Sequence, residues 1–218
     1  MMAEQELPSR IPVFPLTGAI VFPRGRLPLH VFEPRYRAMI RDAMAGDKVI
    51  GMIQPREHTE NKRSRKPPLF EIGGLGRISQ CSETHDGRYL ISLEGVTRFR
   101  IARELDVATP YRQVEADYDV FAADQETAAP LMPAMRAAVE AELKSYLDRS
   151  GQAADWNAVS DSDDETLVNT LANACPFATA EKQALLEAGD LLARAELLIQ
   201  IMQFTVDGTD VETGETLQ

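Results

Sequence analysis

The residues most able to do chemistry crowd into one stretch, "LPLHVFEPRYRAMI", which sets His30, Glu33, Arg35 and Tyr36 within seven positions. A histidine near a carboxylate could move protons. A nucleophile beside them would make the group a catalytic constellation, and none stands there. Other candidates fail on spacing. Cys81 and His85 are four apart, but on a strand end that spacing does not put both on one face as a zinc site needs. "GGLGRIS" (73–79) is glycine-rich but has no lysine where a P-loop needs one, and it reads as strand. G-x-S-x-G is absent. "DSDDE" (161–165) pairs carboxylates, but acids at that place suit a helix N-terminus. The sequence therefore points away from an enzyme and names no catalytic residue, metal ligand or cofactor.

Charge supplies the next clue. The net charge is −11 over 218 residues, yet residues 1–114 carry +5 and residues 115–218 carry −16. Such asymmetry suggests two regions with different jobs. The acidic half would repel a phosphate backbone. The basic first half, above all the loop 55–68 with Arg56, Lys62, Arg63, Arg65 and Lys66, could contact nucleic acid or an acidic partner. The loop lacks the interleaved aromatics that stack on single strands, so the nucleic-acid reading ranks second. Two distant cysteines, Cys81 and Cys175, read as free thiols. No basic start followed by an apolar core opens the chain and no run is long enough to span a membrane, so a cytoplasmic protein without membrane contact is expected.

The elements that would position these residues are legible in the pattern. "IPVFPL" (11–16) reads as a strand whose prolines suit an edge or bulge, and "LPLHVF" (27–32) as a second strand. Glu33-Pro34 starts a helix, and Tyr36, Met39, Ile40, Ala43 and Met44 form its apolar face up to Gly46. "KVIGMIQ", residues 69–83 and "YRQVEADYDVF" read as strands, with "RYLISLEGVTRFRIARE" as two strands around a Glu94-Gly95 turn. From Thr127 the spacing turns helical: 127–149, a helix stopped by Pro176, one capped by Thr179, and one starting at Asp190. The expectation is an α+β chain with a β-rich subdomain over 1–121, a helical subdomain over 122–206 and a frayed tail over 207–218.

These stretches also carry a resemblance. "FPL", then "FP", then "LPLHVFEPRY", with "IGMIQ", "GLGRI", "DGRYLISLEGVTRFRI" and "PFATAEKQALLEAGDLLARAELL", resemble the N-terminal substrate-binding domain family of Lon proteases over residues 11–204. The resemblance implies a PUA-like β pseudo-barrel followed by a helical bundle. It implies binding of unfolded or extended polypeptides, with a protease or chaperone as a further class of partner. The P-loop ATPase and Ser–Lys peptidase modules of full-length Lon find no counterpart here, so the chain reads as a stand-alone Lon-domain protein acting as a binding module or adaptor. Physically, this role needs an accessible apolar groove or a free sheet edge. The apolar residues expected to line it are Phe22, Leu27, Leu29, Phe32 and Met52. Neither the partner's identity nor the oligomeric state is legible.

Overall fold

A computed structural model describes residues 7–56 and 66–204. The strand-rich part is one six-stranded sheet in the order β2-β5-β4-β3-β1-β6, and a further β5–β6 pairing closes β5, β4, β3, β1 and β6 into a barrel. The strands are β1 (Arg10–Pro15), β2 (Arg26–Val31), β3 (Val49–Ile53), β4 (Ile72–Glu83), β5 (Tyr89–Glu104) and β6 (Arg112–Asp117). β1 runs parallel to β3, and all other pairings are antiparallel.

Every barrel strand contributes to one buried cluster: Ile11 and Val13, Val49 and Ile53, Leu75, Phe99, Val114 and Ala116. This is the barrel interior. The opposite faces of β1, β3, β4 and β5 form a second cluster with helix α1 (Pro34–Ala45), which buries Tyr36, Met39, Ile40 and Ala43 against Phe14, Ile50, Met52, Ile78, Ile91 and Leu93. With apolar material on both sides, β3 is buried at all five positions. Pro34 sits in the first turn of α1, as expected. Glu33 is the residue before the helix but makes no side-chain cap; its carboxylate takes a hydrogen bond from Arg35 Nε at 2.9 Å instead.

Two strand expectations are corrected. β1 is not an edge, because it pairs with both β3 and β6. Its prolines fit since Pro12 precedes the point where β3 joins at Val13, and Pro15 ends the strand. Glu94-Gly95 is not a reversal either: β5 runs unbroken through it for sixteen residues. The ladder shifts register opposite it, between Leu75 and Gly76. A bend lets one strand serve β2 and β4 at its start and β6 at its end. Glycine is needed here because the loop before β2 lies across the sheet. A methyl group at Gly95 would overlap the Phe22 carbonyl oxygen, and one at Gly74 the Val21 carbonyl oxygen.

A 3₁₀ segment, η1 (Asp119–Gln125), follows β6, and helices α2 (Pro133–Ser150), α3 (Trp156–Asp161), α4 (Asp164–Ala174), α5 (Thr179–Glu187) and α6 (Leu191–Phe204) complete the described chain. The chain divides into two compact units, one of residues 1–127 with 178–187, the other of residues 128–177 with 188–218. Thus α5 belongs with the strands. It buries Leu185 and Leu186 and is tied by polar bonds: Gln54 Nε2 donates to Thr179 O and Gln183 Oε1, and Gln183 Nε2 donates to Ile72 O. Arg98, 3% exposed, donates to Leu186 O, pairs with Asp124 at 2.8 Å and stacks over Phe121 at 4.5 Å. In the second unit α2 and α4 pack on α6 around Val139, Leu143, Val168, Ala195 and Leu198. Asp163 caps α4 through the Thr166 N–H at 2.8 Å. Helix α3 was not anticipated from the sequence and buries none of its residues. The expected tail, 207–218, lies outside the described residues.

Candidate functional site

β2 stands first in the sheet order, so among the described residues only one of its edges is paired. Its register against β5 runs from Arg26↔Glu94 to Val31↔Tyr89. Just before it, Gly95 N–H donates to Gly25 O and the Gly95 carbonyl accepts from Arg24 N–H, both at 2.8 Å, a bulge that sets Gly25 and Gly95 at a bonded position of the ladder. Antiparallel ladders alternate bonded and non-bonded pairs. Leu27, Leu29 and Val31 therefore turn their backbone groups to β5, while Arg26, Pro28 and His30 turn theirs to the open edge. Pro28, which has no N–H, takes a position where β5 asks nothing of it. The open edge offers N–H groups at Arg26 and His30 and carbonyls at all three residues.

Side chains alternate across the same strand. Leu27, Leu29 and Val31 face inward, against the cluster under α1. Pro28, His30 and Phe32 face outward and are exposed. Leu90 of β5, directly opposite His30, joins them on that face. Phe32 is 60% exposed and Leu90 50%, and the Phe32 and His30 rings meet edge to face with centroids 6.1 Å apart. An aromatic–aliphatic patch thus adjoins an unpaired strand edge. Arg26 marks one end of the edge; its side chain is 76% exposed and pairs with Glu94 at 3.2 Å. At the other end Glu33 and Arg35 pair with each other, and the Arg35 guanidinium stacks over the Tyr36 ring at 4.4 Å. Tyr36 itself lies beneath, its ring 4.1 Å from that of Phe14, and burial pushes its hydroxyl pKa up. His30, Glu33, Arg35 and Tyr36 form a strand-to-helix joint, with His30 on the surface and Tyr36 in the core.

The expected groove residues do not assemble. Phe22 and Met52 are corrected to core: they are 0% and 1% exposed, Phe22 in the loop over the glycines and Met52 in the doubly covered strand β3. Leu27 and Leu29 are half-buried on the inner face, and only Phe32 stands open. Sequence reasoning missed Leu90, His30 and Pro28. Their signal was present as the outward positions of "LPLHVF" and "RYLISLE", but which strands pair was not. Of the basic loop, Lys62, Arg63 and Arg65 lie outside the described residues. Arg56 pairs with Glu71 at 3.3 Å and Lys66 with Glu104 at 2.9 Å. Among the described residues no group of three His, Cys, Asp or Glu side chains could hold a metal ion.

The family model for the ATP-dependent protease La (LON) substrate-binding domain matches residues 10–203. The chain belongs to the Lon substrate-binding domain family. Relatives include Lon protease 2 of Myxococcus xanthus, 27% identical over 93% of this chain and 24% of that protein, and Lon protease of Escherichia coli K12, 27% identical over 97% of this chain and 27% of that protein. The chain spans about a quarter of the length of these relatives. The match lies in the substrate-binding domain, and the family model includes neither an ATPase nor a protease domain. The fold agrees with the crystal structure of a Lon N-terminal domain protein from Xanthomonas campestris, with a TM-score of 0.64 and 19% identity over 88% of this chain and 98% of that one. It agrees equally with the N-terminal domain of Mycobacterium avium complex Lon protease, at TM-score 0.62 and 21% identity over 89% and 98%. The α+β Lon-domain architecture expected from the sequence is the architecture observed.

Proposed function

We propose that this protein binds extended or unfolded polypeptide segments, without making or breaking bonds, at the open edge of β2. The observation that carries this reading is the edge of β2 that pairs with no strand among the described residues, where Arg26, Pro28 and His30 turn their backbone groups outward, with exposed Phe32 beside it and exposed Leu90 one strand further in. A strand added there gains main-chain hydrogen bonds from the edge and apolar burial from the patch. An unfolded chain has its backbone groups free to pair, whereas a folded protein has most of its own already bonded, so the site favours unfolded chain. The family's description as substrate-binding supports the same role. Association at one short edge is weak and transient, which suits an adaptor that passes a chain to a protease or chaperone in the cytoplasm.

The test is fluorescence anisotropy of the purified protein against a labelled unfolded polypeptide, a folded control and a labelled RNA, each at two salt concentrations. The expected result is saturable binding to the unfolded chain alone, little changed by salt. RNA binding that collapses as salt rises would move the function to the basic loop and refute this reading.

A further inference from the structure

We infer that the open edge of β2 reads its ligand in a fixed register: an antiparallel segment with an apolar residue first, a residue other than proline two places on, and a carboxylate two places after that. The inference rests on the polypeptide-binding reading and specifies its substrate class.

The register follows from the three outward backbone positions. A strand laid antiparallel to β2 exchanges two hydrogen bonds with His30 and two with Arg26. With Pro28 it makes only one, because the ligand's N–H can donate to the Pro28 carbonyl while its own carbonyl finds no donor. The central ligand residue must therefore carry an N–H, which excludes proline there. Residues directly opposite share a face. The ligand residue opposite His30 lands diagonal to Phe32, which is 60% exposed, with Leu90 on the far side of His30, so an aromatic or long apolar side chain laid across His30 fits it. Because the strands run in opposite directions, this residue comes first in the ligand, and the residue opposite Arg26 comes four later. The Arg26 guanidinium, 76% exposed and held by a half-exposed Glu94, is the cation it meets. An exposed pair of this kind is held weakly, so Arg26 can turn to a ligand carboxylate. The intervening ligand residues fall on the inner face beside half-buried Leu29 and Leu27 and accept apolar side chains. The opposite order, carboxylate first, places the charge at the Phe32 end and leaves Arg26 with an apolar neighbour.

The test uses end-blocked ten-residue peptides, read by anisotropy and by the backbone amide resonances of the ¹⁵N-labelled protein. The reference peptide carries Phe first, Val in the centre and Glu fifth within its binding stretch. Expected results are perturbation of the Arg26 and His30 amides and about tenfold weaker binding with proline in the centre. Lysine for the glutamate weakens binding about threefold, and Arg26→Glu restores that loss. Equal affinity for all peptides, while Phe32→Ser still weakens them, overturns the register and leaves polypeptide binding standing. No binding of any peptide or unfolded chain overturns both. Concentration-dependent shifts of the Arg26 and His30 amides without peptide would assign the edge to a second copy and also overturn it.

Discussion

Replacing the two exposed apolar residues should separate binding from folding. Full burial of a leucine or phenylalanine side chain is worth about 1.5–3 kcal/mol. Phe32 is already 40% covered and Leu90 half covered, since they are 60% and 50% exposed. The part left for a ligand is worth about 1–1.5 kcal/mol at each side chain. A docked strand covers one side of Phe32 and touches Leu90 only over the top of His30, which leaves about 0.5–1 kcal/mol for the pair. Phe32→Ser with Leu90→Ser should therefore weaken binding of unfolded polypeptide about two- to fivefold. Neither side chain is part of a buried cluster, so the urea midpoint should move by no more than about 0.5 kcal/mol equivalent for each change. Anisotropy titration and urea unfolding on the same preparations check both halves. A double variant that binds as the parent does, with an unchanged midpoint, refutes the site.

Other parts of the molecule make equally definite expectations. Arg98→Leu leaves Asp124 buried without its cation and should cost about 3–5 kcal/mol in urea unfolding, whereas Arg98→Leu with Asp124→Leu should cost less. Gly95→Ala must displace the Phe22 carbonyl and should cost about 3 kcal/mol, while Gly18→Ala, with open space around it, should cost about 1 kcal/mol through its positive φ alone. Asp163→Ala removes the cap of α4 and should lower stability by about 1 kcal/mol. At alkaline pH two tyrosines matter. Burial and the Asp42 carboxylate push Tyr111 up to about 12, and burial pushes Tyr118 up to about 12. Both hold their protons longer in the folded state than the unfolded value near 10 allows. Their stabilising effect is thus whole below pH 10 and lost between about 10 and 12. Tyr111→Phe with Tyr118→Phe should flatten that limb of a urea-midpoint profile; an unchanged limb refutes the assignment.

Helices and strand positions were largely legible because each declares itself locally. The α1 face of Tyr36, Met39, Ile40 and Ala43 follows from helical spacing alone, and the same four residues are buried. What failed was non-local. Gly95 looks like a turn because Glu-Gly commonly reverses a chain, but here the residue lies flat under Phe22, a neighbour more than seventy positions away. Phe22 and Met52 look like groove residues because an apolar side chain has the same signature in a core as on a binding face. Met52 is told apart by the seating of α1 over β3, and Phe22 by the loop that lies across Gly95. The residue type of Phe32 is enough to suggest it, but its surroundings depend on strand pairing, which brings Leu90 beside His30 across sixty positions.

The same edge also explains how a surface open to other chains can avoid its own copies. An unpaired strand beside exposed Phe32 and Leu90 invites edge-to-edge association. Two copies of β2 meeting antiparallel around Pro28 would set proline against proline, and both central hydrogen bonds would be missing. A foreign segment with an N–H at that place loses only one. In the same arrangement Arg26 of each copy faces His30 of the other, where no carboxylate awaits it. A ligand that supplies both the N–H and the carboxylate removes both penalties. Pro28 and Arg26 thus act twice, as a guard against self-pairing and as the source of ligand preference. Replacing Pro28 by valine should show both at once: the central donor returns, the preference against proline in the ligand's middle position persists, and self-association appears in sedimentation at concentrations where the parent stays monodisperse. A Pro28→Val protein that gains neither tighter peptide binding nor self-association would mean that the edge of β2 is not where chains meet.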